Sequence, residues 1–315
     1  MYPDLSYLAN ALFGTPPDSV LSIAKTFGLF LLFAFLTAAW LLTKDLERRQ
    51  RIGQLKGQKQ GGGKAETYTV YPSDRVGPIT LAAAFGGLLG AKVFAIIEYL
   101  PRFFEDPIYV LLSGSGLAIY GGLIGGAAAV WWYARKHDIK ILPLADAVAP
   151  GLIIAYGVGR LGCQLSGDGD WGIVAGPQPN WWFLPDWMWS STFPHNVLER
   201  GVAIPGCTWE YCKELPAAVY PTSIYEFLMA MAIGALLWGL RKRYTAIPGM
   251  LISIYLVLNG IERFFIEFIR VNDRYDVLGV ALSQAQLIAI GFMIAGGLGI
   301  YFFNKRALPR VQGNG

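Results

Sequence analysis

The chain contains seven runs of apolar residues, each close to the length a helix needs to cross a bilayer: 20–42, 78–100, 107–133, 144–163, 222–240, 248–268 and 283–304. A hydrocarbon core about 30 Å thick calls for roughly 20 residues at 1.5 Å rise each. Inside lipid the backbone amides find no water, so such runs fold as helices whose hydrogen bonds close internally. Several runs are interrupted by Gly or by a single charge, which membrane helices tolerate when neighbouring helices supply packing and partners. Composition agrees, since 54% of the residues are hydrophobic and 15% charged, whereas a soluble domain is about 25% charged. The first twenty residues carry neither a basic stretch nor a small-residue cleavage site ahead of the first run. That run is therefore expected to stay in place as an anchor.

Lys and Arg concentrate on the cytoplasmic side of membrane proteins, which gives the runs a direction. Segments 43–77, 134–143, 241–247 and 305–315 hold 17 of them, whereas 1–19, 101–106, 164–221 and 269–282 hold 5. The expected fold is all-α: a polytopic membrane protein with seven transmembrane helices, N-out/C-in, forming one integral membrane domain over 1–315. A small external cap is expected between helices four and five. Residues 44–66, polar, basic and glycine-rich, read as a flexible cytoplasmic linker. The external loop 164–221 is rich in Trp, Pro and Gly, and Trp171, Trp181, Trp182, Trp187 and Trp189 suit the lipid–water interface. Cys207 and Cys212 lie together in that loop, where an oxidising compartment would permit a disulfide, and Cys163 reads as a packed thiol. No Cys/His cluster suggests a metal. The basic residues form no tract interleaved with aromatics, so a nucleic-acid partner has no support. No internal repeat suggests a transporter of inverted halves.

A charge within a membrane span costs several kcal/mol unless it is paired or hydrated, so each one marks a candidate site or a structural ion pair. Arg160, Glu226, Glu262, Arg263 and Glu267 all fall in the outer halves of spans four, five and six. In ERFFIEFIR the spacing puts Arg263, Glu267 and Arg270 on one helical face, with Glu262 pointing elsewhere to pair or to snorkel. Guanidinium binds phosphate bidentately, and Glu267 can hold the arginines in place. Arg160 belongs to GVGRLGCQLSGDGDWG, whose glycines let backbone approach a ligand; Asp168 and Asp170 either fix Arg160, bind ligand hydroxyls or serve turn chemistry. YGGLIGGAAAV begins at Tyr120, and its Gly121 and Gly122 suit either close helix packing or a ligand contact. PTSIYEF opens the fifth span with Thr222 or Ser223 as a candidate cap and Tyr225 and Glu226 just inside.

Four blocks, YGGLIGG at 120–126, GRLGCQLSGDGDWG at 159–172, YPTSIYEF at 220–227 and RFFIEFIR at 263–270, resemble the prolipoprotein diacylglyceryl transferase family in order and spacing. The resemblance implies transfer of a diacylglyceryl group from phosphatidylglycerol to the lipobox cysteine of a prolipoprotein, giving a thioether and glycerol phosphate. It implies no metal and no cofactor. The partners it implies are phosphatidylglycerol and other anionic phospholipids, prolipoprotein signal peptides and the membrane itself, in the bacterial cytoplasmic (inner) membrane. Matched by position, Arg160 and Arg263 stand for the family's two essential arginines, Gly172 for the glycine closing its signature and Glu267 for the nearby acid. With Tyr120 they form the expected catalytic set; Gly121, Gly122, Asp168, Asp170, Gly172, Tyr225, Glu226 and Arg270 are expected to bind substrate. Tyr120 stands where the family commonly has histidine, Cys163 where its signature has asparagine, and GDGDWG is one residue longer, leaving Asp168 or Asp170 as the matching acid. A tyrosine of pKa about 10 is a poor base at neutral pH, so Tyr120 suits hydrogen bonding. Other readings are another phospholipid head-group transferase or hydrolase, and a noncatalytic lipid-binding or transport homologue.

Overall fold

A computed structural model describes residues 1–17, 19–60, 68–112, 118–277 and 279–311. The chain is helical, and its Cα trace divides into two compact units, Met1–Ala38 with Val148–Gly315, and Ala39–Ala147. In chain order the helices are α1 (Leu5–Phe13), α2 (Thr26–Arg51), α3 (Val76–Glu98), α4 (Leu100–Glu105), α5 (Pro107–Leu112), α6 (Ile119–Lys136), α7 (Ile141–Ser166), α8 (Thr222–Leu240), α9 (Met250–Ile266) and α10 (Gln284–Val311). Among the described residues, five of them, α2, α3, α7, α8 and α10, are long and apolar enough to cross a membrane. The chain is a multi-pass membrane protein.

In the unit Ala39–Ala147 the third apolar run, 107–133, is divided between α5 and α6, with residues 113–117 outside the described ones. The expected loop 101–106 is mostly helical, since α4 occupies it. Helix α2 does not stop at the end of its apolar run but continues to Arg51, well into the segment read as a flexible linker. Asp45, wholly buried, accepts from Nε of Arg48 at 2.7 Å and of Arg49 at 2.6 Å, one helical turn away, while Leu46 is buried beside them. Farther along, strand β1 (Gln58–Gln60) pairs antiparallel with β2 (Tyr68–Val70); 61–66 of the linker lie outside the described residues.

Helices α3 and α6 pack through glycines spaced four apart, Gly86 and Gly90 against Gly121 and Gly125. A Cβ on Gly90 would come within 2.3 Å of the Gly121 carbonyl oxygen, and one on Gly125 within 2.3 Å of that of Gly86. Only hydrogen fits between these backbones, and dispersion across the close contact is what holds two helices together where lipid offers no hydrophobic drive. Gly125→Val is expected to lower stability by about 1–3 kcal/mol, because backbone cannot give way as a side chain would. Thermal unfolding of the detergent-solubilised protein measures it, and an unchanged midpoint would contradict this packing.

In the other unit α7, α8 and α9 share a core of Ile153, Ala230, Leu237 and Leu251. Gly260 of α9 meets the Ala289 carbonyl of α10, and Gly296 of α10 that of Ser253. Before α10, β5 (Arg274–Val277) and β6 (Val280–Ser283) form a hairpin that hydropathy did not signal. Ser283 and Gln286 then cap α10 reciprocally, each backbone amide donating to the other's side chain at 3.0 and 3.2 Å.

Segment 164–221 is a folded, mostly irregular cap with one short hairpin, β3 (Val202–Ala203) against β4 (Lys213–Glu214), and a Cys207–Cys212 disulfide. Asn196, wholly buried, ties it together: its amide donates to the carbonyls of Phe193, Arg200 and Lys213 and its oxygen accepts from Arg200 N. Helix α1, absent from the sequence reading, holds the cap from the side. It starts at an Asp4 cap, ends at Gly14 in the left-handed region, and its Tyr7 hydroxyl accepts from Tyr211 N at 2.9 Å.

Candidate active site

Helix α7 carries Arg160 near its C-terminal end, and the chain leaves the helix through Gly167 and Gly169, both with positive φ. A side chain at Gly167 would meet Asn196 of the cap at 2.9 Å, so the turn needs glycine for space as well as conformation. The turn delivers Asp170 to the N-terminus of α8, where the Asp170 carbonyl accepts from the hydroxyls of Thr222 at 2.7 Å and Ser223 at 3.0 Å. Pro221 occupies the cap position of α8 and no side chain caps it, so Thr222 and Ser223 hold the neighbouring strand and not their own helix.

Gly172 then lies flat against two segments at once. Its amide donates to Tyr220 O at 2.8 Å, Ile173 N donates to Ile269 O at 2.9 Å, and Gly172 pairs with Arg270 as an isolated antiparallel bridge. A Cβ there would sit 2.6 Å from Ile269 O. The expected face of Arg263, Glu267 and Arg270 is corrected by this pairing. Helix α9 ends at Ile266, and the chain turns so that 269–270 can bond 172–173. The Arg263–Glu267 ion pair survives at 3.1 Å, and Arg270 reaches Glu267 only at 4.0 Å.

The result is a compact ionic cluster from α7, α8, α9 and the turn after α7. Glu226, wholly buried, accepts from Arg160 Nε at 3.0 Å, Arg263 at 2.9 Å and Arg270 at 3.2 Å. Asp170 bridges Arg160 and Arg270. Glu267, also buried, is held by Arg263 and by the Asn272 amide. Three guanidiniums and these three carboxylates balance in charge, which is what lets so many ions persist away from water. Exposure differs within the cluster: the Arg263 side chain is 25% exposed, Arg160 14% and Arg270 9%. Arg263 and Asp170 thus form its open face, and Glu226 and Glu267 act beneath them as positioning residues.

Burial pushes the Asp170 carboxyl up, but the guanidiniums of Arg160 and Arg270 outweigh it and hold the carboxyl at about 2. Its pairing is therefore complete above the ordinary carboxylate range and is lost as pH falls from about 4 toward 2. Asp168 moves the other way, raised first by burial and then by Asp170. The Cys163 thiol and the carboxylates of Asp168 and Asp170 lie within 4.8 Å of one another, a donor set that suits a metal ion. The two guanidiniums already on Asp170 oppose a cation there, so this grouping is read as part of the ionic cluster.

Other expected residues fall differently. The Tyr225 hydroxyl donates to Trp189 O at 3.1 Å and so serves the cap. Glu262 neither pairs nor snorkels: it is 4% exposed, and neither carboxylate oxygen has a hydrogen-bond partner among the described residues. Tyr120, Gly121 and Gly122 belong to the other unit, at the start of α6. There Tyr120 is half-buried, Gly121 is buried against Gly90 and Phe94, and Gly122 makes only ordinary contacts. Sequence reasoning missed Tyr156, whose ring lies 4.9 Å from the Arg160 guanidinium. Its position four residues before Arg160 on an uninterrupted helix was the available signal. It also missed Asn272, for which no sequence pattern pointed to Glu267.

Residues 20–302 match the family model described as prolipoprotein diacylglyceryl transferase. Among similar proteins, phosphatidylglycerol–prolipoprotein diacylglyceryl transferase 2 of Clostridium perfringens is 32% identical over 77% of this chain and 84% of its own. The phosphatidylglycerol–prolipoprotein diacylglyceryl transferase of Clostridium tetani is 30% identical over 74% of this chain and 82% of its own. The protein of that name from Aeromonas salmonicida is 27% identical over 92% of this chain and 89% of its own.

Proposed function

The chain belongs to the prolipoprotein diacylglyceryl transferase family, and from that membership we infer that it transfers the diacylglyceryl group of phosphatidylglycerol to a prolipoprotein cysteine. In this reaction the thiolate sulfur attacks the glyceryl carbon that carries the phosphodiester. A C–S bond forms, the C–O bond to phosphate breaks, and glycerol phosphate leaves with the electron pair while the thiol proton passes to base or solvent.

The observation that carries the site assignment is the sharing of anions by forks: Glu226 takes Arg160, Arg263 and Arg270, and Asp170 takes two of the three. Guanidiniums already aimed at carboxylates need little reorganisation to meet a phosphate whose charge grows as it departs. Arg263, the most exposed, contacts the leaving phosphate; Arg160 and Arg270 supply the surrounding field; Glu226 and Glu267 fix their orientation. Asp170 and Asp168 are the carboxylates we assign to a glycerol hydroxyl, and Gly172 keeps the strand close enough for the cluster to form.

The seven-span, N-out/C-in arrangement is supported by the Lys/Arg count and by the remaining apolar helices. Helix α9, of 17 residues, spans about 26 Å, and α6, of 18, about 27 Å. In that orientation the arginines lie at the outer face of the bacterial cytoplasmic membrane, where the lipobox of a prolipoprotein signal peptide arrives after export. Phosphatidylglycerol is the donor, and other anionic phospholipids share its phosphate chemistry.

Incubation with labelled phosphatidylglycerol and a lipobox peptide should yield both the peptide thioether and glycerol phosphate. Phosphate release without peptide modification would point to a hydrolase, and lipid binding without turnover to a carrier. In the same assay Tyr120→Phe is expected to reduce turnover about tenfold, the worth of one hydrogen bond to a charged group, and Tyr120→His to retain it. Full activity of Tyr120→Phe would remove Tyr120 from the reaction.

A further inference from the structure

The unit Ala39–Ala147 contains a cavity of about 200 Å³ remote in sequence from every residue of the arginine cluster, lined in part by Lys56, Gly57, Gln58, Arg75, Asp138 and Lys140. These come from the stretch after α2, the turn before α3 and the turn after α6, on the ends that the Lys/Arg distribution assigns to the cytoplasm. Arg75 is the informative member. It is 8% exposed, yet among the described residues its side chain makes only a 3.5 Å contact to the Tyr133 hydroxyl, and its buried Nη2 has no partner there.

A buried guanidinium costs several kcal/mol unless an anion or a full set of acceptors compensates it. The contrast with Arg49, in the same unit, is direct: that side chain is 1% exposed and has Asp45 and Gln54 as partners. No carboxylate lies within ion-pair distance of Arg75 among the described residues. Of the charged residues that line the cavity, three are cations and one, Asp138, is an acid. Beside it the His137 imidazole is pushed down, first by burial and then by Arg75 and Lys136, with Asp138 opposing.

We propose that this cavity binds a phosphate group, with Arg75 as its buried fork and Lys56 and Lys140 as its rim. Its volume suits a phosphate with a short alcohol attached, and the planar fork of arginine matches two phosphate oxygens. Such an anion has two sources on this face, a phospholipid head group of the inner leaflet or a soluble phosphate ester, and the chemistry of recognition is shared.

The test uses the full chain in phosphatidylcholine nanodiscs, following thermal unfolding as sodium phosphate is titrated against sodium chloride of equal ionic strength. A second arm replaces part of the phosphatidylcholine by phosphatidylglycerol, without free phosphate. The proposal expects a saturable phosphate-dependent rise in midpoint that Arg75→Met abolishes and Arg263→Lys retains, which separates this site from the arginine cluster. A head-group occupant would show an Arg75-dependent rise in the phosphatidylglycerol arm, and a soluble one only in the phosphate arm. If Arg75→Met does not fold, Lys56→Gln combined with Lys140→Gln decides, with apparent affinity expected to fall about tenfold. A rise no larger than that in chloride, one that survives Arg75→Met, or an affinity unchanged in the double rim variant overturns the proposal.

Discussion

Arg263→Lys is expected to lower the rate of diacylglyceryl transfer by about 100-fold while lowering the thermal midpoint less than loss of Glu226 does. Both side chains carry one positive charge, so the loss isolates what the planar fork does. One terminal nitrogen of Arg263 is anchored to Glu226 and the other to Glu267, which sets the plane of the guanidinium while a quarter of the side chain stays exposed. A lysine ammonium can satisfy one of those acids but cannot span both and still present an N–H to a departing phosphate. Removing one preorganised donor to a developing oxyanion costs about 10²–10³ in rate, or roughly 3–4 kcal/mol of barrier. Release of glycerol phosphate under saturating lipid reads the effect on turnover directly. Full activity of Arg263→Lys would show that charge alone is required and would contradict the role given to the fork.

Glu226→Leu is expected to act on stability before it acts on chemistry. Glu226 is the shared counter-ion of Arg160, Arg263 and Arg270, and it has no exposed surface. Without it three guanidiniums remain close together in a site largely closed to water, with only Asp170 and Glu267 to balance them. Breaking a buried ion pair by removing one partner costs about 3–5 kcal/mol, and here one carboxylate serves three partners. At about 2–4 °C per kcal/mol for a chain of this size, the midpoint should fall by roughly 10 °C. Glu226→Gln, which keeps the shape and one acceptor, should fall less. The two predictions separate the roles: loss of turnover out of proportion to the fall in midpoint at Arg263, and chiefly loss of midpoint at Glu226. An unchanged midpoint in Glu226→Leu would mean that the arginines are compensated by something other than this acid.

Much of the cluster was visible in the linear chain, and the reasons differ by residue. Arg160, Glu226, Arg263 and Glu267 stood out because charge is rare in apolar runs, and the expectation that they converge is met by their ion pairs. The positions of Gly121 and Gly125 matched a packing motif, and α6 uses them so. What spacing could not reveal was where α9 ends. A helical face through Arg270 is correct for an isolated helix, but pairing of Ile269 and Arg270 with Ile173 and Gly172 competes with the last turn and prevails. The extension of α2 to Arg51 was hidden for the opposite reason, because a basic polar segment looks unstructured until the burial of Asp45 and Arg49 is known. Helix α1, nine residues between the Asp4 cap and Gly14, and the 274–283 hairpin are too short to stand alone, and tertiary contacts supply much of their stability.

Hydropathy is a property summed along the chain, and insertion into a bilayer responds to that sum, so the amino-acid sequence by itself determined that this is a multi-pass helical membrane protein. The same linear order carried the four blocks that mark its family. Only the tertiary structure decided that Glu226 sits beneath three arginines, that Asp170 bridges two of them, and that Tyr225 serves the cap. Those facts depend on which distant segments touch, and ion pairing away from water is settled by distances of a few ångströms that no local pattern encodes.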